Sequence, residues 1–277
     1  MYPGAHAAID DWVKFPWHQH ASSPRSSQML AIDVFGTIKS CPAHIRDAIM
    51  AKVASQAGIA AEGPWQISME WQDGGNVLRE YTPTQVDAVA ISERAMLLFE
   101  CKFTEAGGGC SQIIQDRHGR IACDGSYRLQ QNPQNGVTAH CALSGKGIAY
   151  WEWIEKLYGI DRASDHTPCP FAFDAYQWMR NSALALAISK RDHIQTRVLA
   201  VYTDAGHLQT AAKVRKGRLG TAPLSPHDEI LPLSYQTLLS IAADTDPEGN
   251  WSALSEWVDA KIEATKPAPS AQMPRTD

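Results

Sequence analysis

Residues 83–102 read PTQVDAVAISERAMLLFECK, and the fold turns on how this stretch is read. Residues 86–91 and 95–99 are largely β-branched or apolar and flank the polar turn Ser92, Glu93, Arg94, which predicts two strands joined as a hairpin. Across that hairpin Asp87 lies beside Glu100. Side chains two apart on a strand share a face, so Glu100 and Lys102 project together while Cys101 points away. One face then carries two carboxylates and an ammonium. Met96, Leu97, Leu98 and Phe99 are apolar at successive positions, which predicts a strand covered on both faces, central in a sheet flanked by helices. Ionisable groups at the end of such a strand are costly to bury unpaired. Asp87 and Glu100 offer the hard oxygen ligands that Mg²⁺ takes alongside water and phosphate. Lys102 would polarise or deprotonate an attacking water and offset phosphate charge. The competing reading is an edge strand that ends in a solvated Glu and Lys, with Asp87 a turn residue.

On Asp87, Glu100 and Lys102 the chain resembles the PD-(D/E)xK phosphodiesterase superfamily, in particular its restriction-endonuclease-like branch. The proline stands at Pro83 rather than directly before Asp87, a departure that touches only the local turn. The resemblance implies an α/β fold with a restriction-endonuclease-like core, a central mixed sheet flanked by helices, in the order helix, three strands, helix, strand. It implies a Mg²⁺- or Mn²⁺-dependent DNA endonuclease of restriction or defence. The alternatives are a repair or junction nuclease, and a catalytically inactive module of the same fold that binds nucleic acid or protein. In this superfamily the first helix often lends the metal site a polar residue, commonly Glu. Here Gln28 is the stand-in, its alternative being a bond to a neighbouring backbone group. The resemblance also implies that Gln177 and Arg180, on the helix after the Glu-x-Lys strand, contact the metal-bound water or the scissile phosphate. They are three apart and share a helix face, and a solvated face or a bond to the insertion is the other reading.

The 277 residues, 44% of them hydrophobic, suffice for one domain over residues 1–266, with an insertion at about 104–170 and a disordered Pro/Ser/Ala tail at 267–277. No apolar run approaches the roughly 20 residues that span a bilayer, so a cytoplasmic protein is expected. The net charge of −5 offers nucleic acid no global attraction, so DNA would have to be held by a local basic surface. Lys213, Arg215 and Lys216 form the one compact basic cluster in the chain and could contact a phosphate backbone or be a solvated loop. Restriction-type cutting of both strands often uses a two-fold dimer, though no self-complementary surface is readable here.

The flanking elements fit this core. Residues 1–24 read as irregular, and His18 and His20 in His-Gln-His as part of a packed or flexible polar segment, the alternative being a metal site, for which no matching Cys or acidic spacing accompanies them. Ser26 or Ser27 can cap a buried helix that stops at Gly36, and a second helix covers about residues 42–57. Residues 64–71 alternate as a first strand, with Trp65, Ile67, Met69 and Trp71 on one face and Gln66, Ser68 and Glu70 on the other. Glu70 and Glu80 are further candidates for an upstream acid, Glu70 a weak one because a half-solvated strand carries Glu on its wet face without function. The triple glycine at 107–109 could let phosphate approach the backbone or be a plain loop. Residues 171–188 favour a helix that Asp174 could cap, residues 196–203 a buried strand returning in parallel. Residues 230–241 read as a short strand and a helix capped at Ser234, and residues 251–264 as an amphipathic helix. Four of the six cysteines, Cys110, Cys123, Cys141 and Cys169, fall in the insertion. They are either structural Zn²⁺ or iron–sulfur ligands or ordinary buried thiols, with His118 and His140 as spare ligands. No Cys-x-x-Cys pair accompanies them.

Overall fold

A computed structural model describes residues 1–105, 108–132, 135–173, 175–215 and 230–266. Lys216, Asp174, Gly107 and the tail at 267–277, as well as the side chain of Arg215, lie outside the described residues. Five strands, β1 (Gln66–Gln72), β2 (Gln85–Ile91), β3 (Ala95–Lys102), β6 (Gln195–Tyr202) and β7 (Ile230–Ser234), form one sheet in the order β1-β2-β3-β6-β7. The first three pair antiparallel, as hairpins allow. β6 and β7 are parallel to β3 and to each other, and the crossover from β3 to β6 runs through α6 (Tyr176–Asp192). This is the mixed sheet of a restriction-endonuclease-like core.

β3 is buried at every residue, Glu100 and Lys102 included. One face of the sheet, with Ala88, Leu97, Phe99, Cys101 and Val201, packs on α1 (Ser27–Ala31), α3 (Ala43–Gln56), α8 (Tyr235–Thr245) and α9 (Trp251–Glu263). The Phe35 and Phe99 rings meet there with centroids 4.6 Å apart. The other face, with Met96, Leu98, Val198 and Ala200, is covered by α5 (Tyr150–Tyr158) and α6. Ser26 caps α1 by accepting the Met29 N–H, and Ser234 caps α8 by accepting that of Thr237.

Three elements differ from the sequence reading. The first helix does not stop at Gly36 but passes through a π-helical stretch (Ile32–Gly36) into α2 (Thr37–Ser40). Gly36 serves close packing instead, since a Cβ there would stand 3.2 Å from those of Ala5 and Ala8. Residues 1–24 are not wholly irregular. Pro3–Ala8 is a 3₁₀-helix whose Ala5, followed by Ile9, is buried, and the segment is tied down by Asp33. This fully buried carboxylate accepts from Tyr2 N at 2.6 Å and Trp257 Nε1 at 2.8 Å, and pairs with Lys261 Nζ at 3.3 Å. In the insertion, α5 buries Tyr150, Trp151, Ile154, Leu157 and Tyr158. That is helical spacing, masked in the sequence by the aromatic residues on both sides of the stripe.

Removing one member of a buried charge network costs about 3–5 kcal/mol. Asp33→Ala is therefore expected to lower the unfolding free energy by roughly that amount in urea titration, leaving Lys261 and the Trp257 N–H without their acceptor.

Candidate active site

The site forms where the β2–β3 ladder stops and the β1–β2 ladder skips one pair. β2 pairs with β3 from Ile91↔Met96 to Ala88↔Phe99 and no further. The next main-chain donor, Cys101 N, is taken by Asp87 Oδ2 at 2.6 Å. On the other side, β1 pairs with β2 at Met69↔Ala88 and Trp71↔Val86, skipping Glu70 opposite Asp87. Glu70 sits at φ 52°, left-handed backbone that a non-glycine residue adopts at a cost of roughly 1–2 kcal/mol. Such strain concentrates at functional sites. It breaks the strand's alternation and buries the Glu70 side chain, which a regular strand would have turned to solvent.

The carboxylates and the cation are held individually. Glu100 Oε1 meets Lys102 Nζ at 2.5 Å, and Glu100 Oε2 accepts from Asn181 Nδ2 at 2.7 Å. Lys102 also lies 5.8 Å from the centroid of the Trp178 ring, so α6 closes this side. Glu70 Oε1 accepts from Gln28 Nε2 at 2.6 Å and Oε2 from Gln85 Nε2 at 2.5 Å, with His18 Nε2 at 3.5 Å from Oε2. Gln28 in turn accepts the His18 N–H and donates to Pro16 O, which fastens the N-terminal segment beside the site.

Electrostatics set the protonation. Burial, with the neighbouring Glu100 and Glu70 charges, pushes Asp87 up to about 8. Burial also opposes the Glu100 carboxylate, but Lys102, Arg180 and the Asn181 amide outweigh it and hold its pKa below the usual value. Burial would strip Lys102 of its proton, yet Glu100 and Asp87 more than compensate and its pKa is raised. It is an ammonium at neutral pH. His18 is raised first by its bond to Glu70, against burial, and then by the charges of Glu70, Asp87 and Glu100.

The remaining expected residues lie as follows. Gln28 reaches the site through Glu70. Arg180 influences Glu100 electrostatically, lies 5.7 Å from the Tyr176 ring centroid, and has a buried Nε without an acceptor. Gln177 accepts the Gly108 N–H at 2.6 Å, the bond to the insertion that the sequence left open, so Gln177 and Arg180 do not act together. Glu80 is elsewhere, clamping Thr84 N and Oγ1 and the Tyr150 hydroxyl. His20 is exposed. Gln85 and Asn181 went unassigned in the sequence, and His18 reads there with His20 but not as a partner of Glu70. Asn181 stands four residues beyond Gln177 on α6, a spacing that could have flagged it.

No three His, Cys, Asp or Glu side chains among the described residues already stand at the spacing of a bound ion. The donor set nevertheless fits a hard divalent cation. Asp87, Glu100 and Glu70 are electrostatically coupled carboxylates offering hard oxygen donors in one region of the sheet, and Asn181 Oδ1 is buried without a partner beside Glu100.

A family profile described as Restriction Endonuclease associating with ARP matches residues 5–258. The chain belongs to this family. The match takes in the N-terminal segment with His18, the whole sheet and the cysteine-bearing insertion, so the carboxylate site lies within a nuclease-like framework. No curated protein and no solved structure matches the chain at a significant level. No helix among the described residues is long and apolar enough to cross a membrane.

Because folding raises the Asp87 pKa from 3.8 to about 8, the native state of the metal-free protein holds this proton more tightly than the unfolded chain. The stabilisation is complete below about pH 4 and is lost as pH rises through 8. Asp87→Asn, which keeps an acceptor for Cys101 N, should flatten that fall in a series of thermal melts between pH 5 and 9; an unchanged slope would place the titrating group elsewhere.

Proposed function

We propose that this chain is a Mg²⁺-dependent DNA endonuclease that hydrolyses phosphodiester bonds in restriction or defence. The observation that carries the reading is the convergence of Glu70, Asp87, Glu100 and Lys102 at the point where β2 and β3 part. Asp87 and Glu100 are the cation's ligands and Glu70, braced by Gln28 and Gln85, is the third carboxylate beside them. Bound there, Mg²⁺ supplies Lewis acidity toward a phosphate oxygen and a lower pKa for attacking water.

The chain's own residues do the rest. Lys102, held as an ammonium by Glu100, orients the attacking water by donating to it and offsets the charge that grows on phosphorus-bound oxygens. It is a donor rather than a base. Arg180, with an unpaired buried Nε near Glu100, faces the scissile phosphate's other oxygens. Glu100 and Asn181 fix where the Lys102 ammonium lies, so the donor is already oriented before substrate arrives.

The reading extends to a cytoplasmic protein acting on DNA, with two copies needed if both strands are cut at once. Lys102→Ala is expected to lower Mg²⁺-dependent cleavage of plasmid DNA by about 10²–10³-fold, the cost of losing one aimed donor. Circular dichroism should show the fold retained, with the loss of about 3–5 kcal/mol expected when a buried partner of Glu100 is removed. Full cutting by the variant would refute the assignment. Glu70→Gln is expected to raise the Mg²⁺ concentration needed for half-maximal cutting while sparing the fold, since Gln28, Gln85 and the strand geometry remain.

A further inference from the structure

The four insertion cysteines, separated by 12, 17 and 27 residues in the sequence, arrive from four different loops and line a single cavity. Their loops are pinned to one another: Cys123 N donates to Gln112 O at 3.0 Å, Cys169 N to Gly125 O at 2.8 Å, and Cys110 N to Ala172 O at 2.8 Å. The thiols are free, and all six pairs interact electrostatically across the void. Backbone N–H groups aim at the sulfurs, that of Gln112 at Cys110, those of Leu143 and Ser144 at Cys141, and that of Phe171 at Cys169. Gln130 Nε2 stands 3.8 Å from the Cys123 sulfur. A neutral thiol is a weak acceptor. Donors gathered around four of them are the arrangement that negative thiolate sulfur calls for. We propose that Cys110, Cys123, Cys141 and Cys169 hold an iron–sulfur cluster.

The geometry separates this from a single zinc ion. A structural zinc ion draws four ligands in to one centre, its thiolates at about 2.3 Å. Among the described residues no three thiols are drawn in to the spacing of one ion. They surround a cavity of about 30 Å³, where one water-sized occupant needs only about 10–15 Å³ on the same measure. A polynuclear core with one thiolate at each of four corners fills such a space. The walls are otherwise apolar, with Trp151, Phe171 and Met179 among them, which suits a buried redox-capable group more than an empty void that forfeits packing contacts. His140 pairs with Asp165 at 3.1 Å and packs on Tyr127, and His118 bonds to Arg117; neither lines the cavity.

Among the described residues between β3 and α6, regular structure consists of the 3₁₀ turn Ser111–Ile113, β4 (Gln130–Gln131), β5 (Thr138–Ala139), α4 (Ala142–Gly145) and α5, and the loops that carry the cysteines lie between these short elements. Binding requires the four thiols to release their protons to solvent as a preformed cluster is transferred to them; its iron and sulfide keep their oxidation states, and the ligands that it leaves take up protons. The effect reaches the active site through α6, which presents Tyr176 and Met179 to the cavity and Arg180 and Asn181 toward Glu100.

The test is elemental and spectroscopic, independent of cleavage. The full chain purified without oxygen should carry iron and acid-labile sulfide in equal amounts, with thiolate-to-iron absorption in the visible. Cys123→Ser and Cys169→Ser should lose both; Cys41→Ser, outside the cavity, and Lys102→Ala should keep both. If the serine variants fail to fold, the wild-type measurement and chemical reconstitution of metal-free protein with iron and sulfide still decide. Stoichiometric zinc without sulfide, a folded wild type that neither contains nor takes up iron, or undiminished iron in both serine variants overturns the proposal.

Discussion

The bond from Cys101 N to the Asp87 carboxylate takes the place of a main-chain ladder bond, and the site's geometry depends on it. By satisfying an interior amide with a side chain, it ends the pairing of β2 and β3 one step before Glu100 without leaving an orphan donor. The strands separate there with their hydrogen-bonding complete. Opposite, Glu70 leaves the β1–β2 pairing at the same level. The two departures set carboxylates beside one another in the interior of an otherwise apolar sheet.

Holding three carboxylates there is unfavourable, and the structure answers each charge separately. Lys102 and Asn181 serve Glu100; Gln28, Gln85 and His18 serve Glu70; Asp87 is left with one backbone donor and a raised proton affinity. The unequal treatment matters chemically. Glu100, despite its burial, is held below the usual carboxylate range by Lys102, Arg180 and Asn181, whereas burial beside Glu100 and Glu70 makes Asp87 hold its proton more tightly. Asp33 solves the same burial problem on the opposite side of α1 with three donors and no vacancy, and its role is accordingly to hold the N-terminal segment.

Much of this was legible in residues 83–102. The unbroken apolar run before Glu100 required a central strand, and the two-residue period put Glu100 and Lys102 on one side and Cys101 on the other, where the structure has them. The central mixed sheet follows from the same run. Glu70 was undervalued because strand alternation places it on the wet face; only its left-handed backbone, which composition does not announce, brings it inward. His18 reads in the sequence only with His20, as a polar or metal pair, because its partner in the site is Glu70, far along the chain, and its backbone is held there by Gln28. Gln177 and Arg180 share a helical face in principle, but the glycine-rich loop at Gly108 captures Gln177, a contact no periodicity can anticipate. The cysteines were visible as a group, while their convergence on one cavity needed the loops' hydrogen bonds.

The pairing of β3 with β6 joins Ala95 to Gln195 and Lys102 to Tyr202, each partner a hundred residues later in the chain. Contacts so distant in sequence are entropically expensive to close and slow to form. During synthesis at about 5–20 residues per second, β3 would wait several seconds with one apolar edge open. The strand that bears Glu100 and Lys102 is therefore also the segment most exposed to mispairing before the domain is finished, and an insertion that folds promptly around its own centre would shorten the effective loop that β6 has to close.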